Sequence, residues 1–226
     1  MNVQKLKTAI QDYTAWLKDS NQISNLHCWE ALYHWQENWD TETPDLAACY
    51  DKSLQSQESR RLWNREHFFP KEIMYKLIDS QPDFARRAFK VLFDEEKEIE
   101  NRISLFKFFC DEMMKDYKSS NKDSIENNHY HDNNEMIFLY LAFQFPEQYT
   151  LYHYPSFRAC LEKVGSLNPP GPYDLNRFVK ISRALWKWIR EDEECLLSLE
   201  QKLSKTSYYR KNSMLAVYDF YRFMGN

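Results

Sequence analysis

The chain has 226 residues, 43% hydrophobic, 16% aromatic and 28% charged, with a formal net charge of -4 and a mean hydropathy of -0.75. That is material for one large domain or two small ones with a well-filled core, and a pI near 5.9 argues against whole-molecule steering toward nucleic acid without excluding a local basic face. The three glycines, Gly165, Gly171 and Gly225, can write neither a phosphate-cradling GxxxxGK(S/T) loop nor a dinucleotide GxGxxG turn, and do not fit a Gly-rich barrel.

Residues 2–18 read as an amphipathic helix, with Val3, Leu6, Ile10, Tyr13, Trp16 and Leu17 at steps of three and four. After a Ser/Asn break, 26–39 is again helical in period and carries Trp29, Leu32, Tyr33, Trp35 and Trp39. Pro44 suits the first turn of a helix over 44–64, with Leu46, Tyr50, Leu54, Leu62 and Trp63 as core candidates. Pro70 and Pro82 each open a helix, 70–80 and 82–94, and a longer helix follows from Asp94 to about Tyr117. Its stripe is Ile99, Ile103, Phe106, Phe109, Cys110 and Met113, and the acids of 94–100 form a solvated first turn.

Residues 118–134 are polar and read as an exposed loop and the best internal boundary. Residues 135–144 return to helix. The stretch 145–157 is aromatic and bounded by Pro146 and Pro155, which predicts a short extended segment or strand. A short helix over 156–163 and a Gly/Pro loop over 165–172 precede a strong helix over 174–202, with Asp174 as N-cap. The last stretch, 205–226, fits a short strand or a final helix. The expected fold is mainly α, a single multi-helix domain over 1–226 with about eight to ten helices and at most a minor β element around 149–154 and near the C-terminus.

Catalytic anchors are scarce. Cys28, Cys49, Cys110, Cys160 and Cys195 are odd in number and form no CxxC pair, so free, partly buried thiols in a reducing compartment are expected rather than a disulfide framework. His129, Tyr130, His131 and Asp132 have the look of metal ligands but lack a fourth ligand nearby; a polar loop is the competing reading. His27 and His34, seven apart beside Trp35 and Trp39, fit a packed aromatic face. The acids 191–194 have no partner motif, and no GxSxG elbow occurs. Neither an apolar signal segment nor an apolar run of membrane-spanning length is present. The expectation is a cytoplasmic, non-enzymatic protein with no catalytic residue, metal or cofactor.

The most informative feature is a row of cations. Arg177, Lys180, Arg183, Lys187 and Arg190 are spaced 3, 3, 4 and 3 and fall on one helix face roughly 140° wide, opposite Leu175, Phe178, Leu185 and Ile189. Such a row tracks phosphates or is a solvated face paired with neighbouring acids. Tyr149, Tyr152, Tyr154 and Phe157 precede it. Aromatics beside cations suit base stacking and suit a core equally.

Three segments carry a family resemblance. Trp29-Glu30-Ala31 through Asn38-Trp39-Asp40 resembles a W-E-A…Q-x-N-W-D segment. The block 68–106 resembles a proline-started helix, a tight turn and an R-x-x-F-x-x-L-F-D-E pattern. The block 129–157 resembles one with an aromatic Y-P-(D/E)-(K/Q)-Y-x-(I/L)-Y core. The family is the N-terminal region of McrB-type AAA+ GTPases of McrBC-like, 5-methylcytosine-specific restriction systems, and the likeness spans about 26 to 223. It implies a target-recognition module that precedes a motor, in keeping with the missing P-loop, and that binds DNA, including methylated or otherwise modified DNA. It implies other subunits of a restriction complex as partners, and no membrane. On this reading Arg177, Lys180, Arg183 and Lys187 contact phosphates, and Tyr152 and Tyr154 line the reading site, where a flipped base would sit between aromatics. The alternative is a protein-interaction or sensor module of the same kind of system without direct DNA binding.

Overall fold

The computed structural model describes residues 1–19, 25–56, 60–63, 69–120, 134–203 and 205–225. Every regular element among them is a helix: α1 (Val3–Lys18), α2 (Leu26–Asn38), α3 (Leu46–Ser53), α4 (Arg60–Trp63), α5 (Pro70–Ser80), α6 (Pro82–Leu92), α7 (Ile99–Ser120), α8 (Glu135–Gln144), α9 (Tyr154–Lys163), α10 (Leu175–Arg190), α11 (Glu193–Lys202) and α12 (Leu215–Gly225). No helix among the described residues is long and apolar enough to cross a membrane. The chain divides into two compact units, one of residues 1–29 with 145–226, the other of residues 30–144. The divide falls inside α2 and just after α8. The polar stretch 118–134 lies within the second unit; 121–133 are outside the described residues.

The second unit is an aromatic core around α8. Its sequence, EMIFLYLAFQ, is apolar on all sides, and Met136 through Phe143 are all buried, the pattern of a helix surrounded by others. Trp35 of α2 and Trp39, just past its end, stack at 4.4 Å. Trp39 meets Phe89 edge-on at 5.0 Å, and Phe89 meets Tyr140 edge-on at 5.3 Å. The hydroxyls of Tyr50 and Tyr140 bond each other at 2.7 Å, which satisfies two polar tips that burial would otherwise penalise. Proline starts α5 and α6 as expected, each at the first helical turn. The acidic run 94–100 mostly precedes α7. There Asp94 pairs with Lys97, and Glu95 pairs with the buried Arg102, which also donates to the Leu92 carbonyl at 3.1 Å.

The first unit is pinned by a polar knot. Asp219 on α12 is 1% exposed. Its carboxylate accepts from the Tyr13 hydroxyl at 2.9 Å, from the Asn25 backbone N–H at 3.1 Å and from the Asn25 side-chain amide at 2.7 Å. Burial nevertheless raises its pKa above the ordinary carboxylate range, because desolvation outweighs the three donors. The predicted stripe of α1 is buried at Leu6, Ile10, Tyr13 and Leu17, whereas Val3, in the first turn, is exposed.

The helix expected over 44–64 stops at Ser53, two further local expectations change, and the alternative left open at the C-terminal end resolves. The helix expected over 174–202 is two helices. Asp192 has extended backbone and its carboxylate accepts from the Cys195 N–H at 2.9 Å; an aspartate in N-cap geometry starts a new helix rather than continuing the old one. The segment 149–153 is non-helical but pairs with no strand. Side chains and a helix end satisfy it instead: the Tyr221 hydroxyl donates to the Leu151 carbonyl at 2.6 Å, and just upstream the Met214 N–H donates to the Pro146 carbonyl at 2.7 Å. The C-terminal stretch is a helix, α12, with Leu215, Ala216, Val217, Phe220 and Tyr221 buried.

Candidate nucleic-acid interface

Helix α10 is set down by its apolar face. Leu175, Phe178, Val179, Leu185, Trp186 and Ile189 are buried, and Phe178 takes Tyr152 and Phe157 edge-on, each at 4.8 Å. That burial rotates the cationic row outward. Lys180, Arg183, Lys187 and Arg190 are exposed and Arg177 is half-buried. Lys180, Lys187 and Arg190 form no ion pair among the described residues, although the acids 191–194 follow directly at the C-terminal end of the row.

The two arginines that flank Lys180 are partly committed. Arg183 donates from Nε to the Gln148 carbonyl at 3.2 Å, and its guanidinium lies 5.4 Å over the Tyr149 ring. Arg177 lies 3.3 Å from the N-cap carboxylate of Asp174 and donates to the Asn168 carbonyl at 2.6 Å. Both keep their charge while fixing backbone, so the row is oriented before any ligand arrives.

The two tyrosines do different work from the one expected. Tyr152 is 6% exposed, packed on Phe178, and its hydroxyl donates to the Pro172 carbonyl at 2.6 Å. A ring so placed has no open face for a base. Half-buried Tyr154 donates to the Pro170 carbonyl at 3.2 Å and accepts from Arg158 at 3.3 Å. Together they brace the 165–173 loop, Tyr152 from a buried position and Tyr154 with part of its surface open.

The loop itself supplies what the sequence reading missed. Leu167 is 102% exposed and Tyr173 is 72% exposed. Two tyrosine hydroxyls and Arg177 hold the loop's carbonyls, and Pro169 and Pro170 restrict its backbone torsions. Its start is fixed by Gly165, at φ +71°, which ends α9 in the left-handed conformation glycine tolerates. There the Asn2 N–H donates to the Val164 carbonyl at 2.9 Å. Lys5 runs alongside, its Nζ 3.9 Å from where a Cβ on Gly165 would stand. Lys5 and Lys163 are exposed and without an ion pair among the described residues. Leu167 and Tyr173 therefore stand exposed on a braced loop, with Lys5 and Lys163 near its start. The sequence signal was present but weak: a leucine and a tyrosine inside a Gly/Pro loop, where no periodicity gives them a buried face.

The remaining candidates resolve differently. The four acids at 191–194 serve helix ends, with Asp192 capping α11 and Glu194 pairing with Lys18. Trp35 and Trp39 form the packed aromatic face expected beside His34. Four of the five thiols are buried. Burial pushes Cys160 up to about 12 and Cys195 up to about 11, and raises Cys110 as well, which is the reverse of what a reactive thiolate needs. No group of three metal-ligating side chains gathers among the described residues; His129, Tyr130, His131 and Asp132 lie outside them.

Charge is distributed unevenly between the units. Residues 1–29 with 145–226 hold 15 basic and 11 acidic residues, a net of +4. Residues 30–144 hold 15 basic and 23 acidic residues, a net of -8. The cationic row thus sits on the positive part of a negative chain. Comparison with family models, curated proteins and solved structures returned no match.

Proposed function

We propose that the chain is a non-catalytic target-recognition domain of a McrB-like restriction system, and that its first unit binds DNA, modified DNA among its targets. The observation that carries this reading is the outward face of α10, where Lys180, Lys187 and Arg190 are exposed and form no ion pair among the described residues, on a unit of net +4. Exposed cations one and two helical turns apart along one face suit phosphate contacts and release counterions on binding. Phosphate contacts fix position and carry no sequence; discrimination of a modified base therefore falls to the groups beside the row, and Tyr173 is the exposed ring there.

The test is fluorescence anisotropy with labelled duplexes, plain and 5-methylcytosine-containing, at low and moderate salt. The wild type is compared with the combined Arg177, Lys180, Arg183, Lys187→Ala variant. Binding that favours the modified duplex and collapses in the variant supports the reading. No binding to either duplex at low salt overturns it. A protein-interaction role then takes its place, favoured by the second unit's net of -8 and by Leu105 and Phe108, exposed on successive turns of α7.

A further inference from the structure

We infer that the 165–173 loop is a wedge that enters the base stack of duplex DNA, with Leu167 as the inserted side chain. The inference rests on the DNA-binding reading above. Leu167 is exposed over its whole surface, although burying an apolar side chain of that size is favourable. An isolated exposed leucine needs no explanation. This one differs because its surroundings are built. The Tyr152 and Tyr154 hydroxyls and the Arg177 guanidinium each hold a loop carbonyl, at 2.6, 3.2 and 2.6 Å. The loop also closes on itself, the Asp174 N–H donating to the Gly171 carbonyl at 3.2 Å. A leucine presented on a fixed backbone loses little freedom on binding, which is what an inserting residue requires.

The charges around it match the same task. Lys5 lies beside Gly165 at the start of the loop, Lys163 precedes it by two residues, and Arg177 reaches back to the loop's Asn168 carbonyl. The acids close to the loop are already engaged: Asp174 with Arg177, and Glu162 with Arg158 at 2.9 Å. A duplex that meets Leu167 then has Lys5 and Lys163, near the start of the loop, to take a phosphate contact. Side chains of this kind unstack a base step and kink the helix toward the major groove by roughly 20–90°. Tyr173, at the far end of the loop, faces the sugar or base beside the opened step. Insertion acts on the stack rather than on a particular base, so it operates on plain as well as modified duplexes.

The experiment measures end-to-end distance by energy transfer in a doubly labelled 20–30 base-pair duplex, together with affinity across a salt series, for the full chain and for Leu167→Ala. Because Leu167 packs on nothing, the variant keeps its fold, and a thermal melt checks this. The expected result is a shortened duplex with the wild type. Leu167→Ala should restore the straight-duplex distance, weaken binding about 5- to 20-fold and leave the salt slope unchanged, while Lys180→Ala lowers the salt slope and keeps the bend at saturating protein. Wild-type binding with no shortening, or a bend that survives Leu167→Ala, overturns the wedge and leaves the DNA reading standing. Absence of wild-type binding overturns both.

Discussion

The two units solve the same problem, a helical core, with different chemistry. The second closes around α8 with aromatic pairs and one hydroxyl pair. The first closes around a buried carboxylate with three donors and holds its irregular segments by tyrosine hydroxyls on carbonyls. The aromatic unit carries a net of -8 and the polar-knotted unit a net of +4. A whole-chain charge of -4 therefore describes neither, and the objection it raises to nucleic-acid binding falls away for the first unit. The contrast also separates scaffold from surface. Most aromatics in the second unit pack its core, Phe69, Tyr75 and Phe108 being exposed, whereas in the first unit some of them aim a loop.

The largest expected effect is in the aromatic core. Trp35→Ala removes a fully buried ring and should cost about 3–5 kcal/mol, read as a lower denaturation midpoint, since the cavity cannot collapse against a stacked neighbour. A loss under about 1 kcal/mol would mean the stack contributes little. Next is the polar knot. Asp219→Ala leaves the buried Tyr13 hydroxyl and two partly buried Asn25 donors without their acceptor, and should cost about 2–4 kcal/mol.

The same residue predicts a pH signature. Its pKa is raised in the folded state above the ordinary value of 3.8, chiefly by burial. The folded chain therefore holds that proton more tightly than the unfolded one. The resulting stabilisation is complete below the unfolded value and is lost as pH rises through the folded value. The stability of the wild type relative to Asp219→Asn should fall as pH climbs from about 4 toward neutrality, measured by denaturant titration at several pH values. A difference flat with pH contradicts the assignment.

Much of the fold was legible in the sequence because its signals are local. Pro70 and Pro82 mark helix starts, Asp174 marks the start of α10, and the all-apolar run 136–143 marks a central helix. The split at Asp192 was missed because periodicity runs through it, and only the backbone of one residue breaks the helix. The extended segment 149–153 was read as strand-like because its composition suits a strand, yet the partners of its carbonyls come from distant side chains such as Tyr221. The cationic row was legible for the same reason as the helices, a fixed angle per residue. The roles of Tyr152 and Tyr154 were not, since composition cannot tell a ring that stacks on a ligand from one whose hydroxyl braces a loop 16 or 20 residues away.

The smallest stability effects are expected on the cationic face. Lys180→Ala and Lys187→Ala touch no packed group and should shift stability by less than about 0.5 kcal/mol. Each should lower the slope of log affinity against log salt by about 0.9. A substantial loss of stability in either variant would make the row structural and undo the separation of scaffold from surface.

The central claim, that the positive unit presents the DNA face, is tested most directly by lysine acetylation footprinting of the full chain with and without a saturating duplex, read by mass spectrometry. Protection confined to Lys5, Lys163, Lys180 and Lys187, with Lys90, Lys97 and Lys115 of the acidic unit labelled as before, is the predicted result. Protection on the acidic unit, or none on α10, would contradict it.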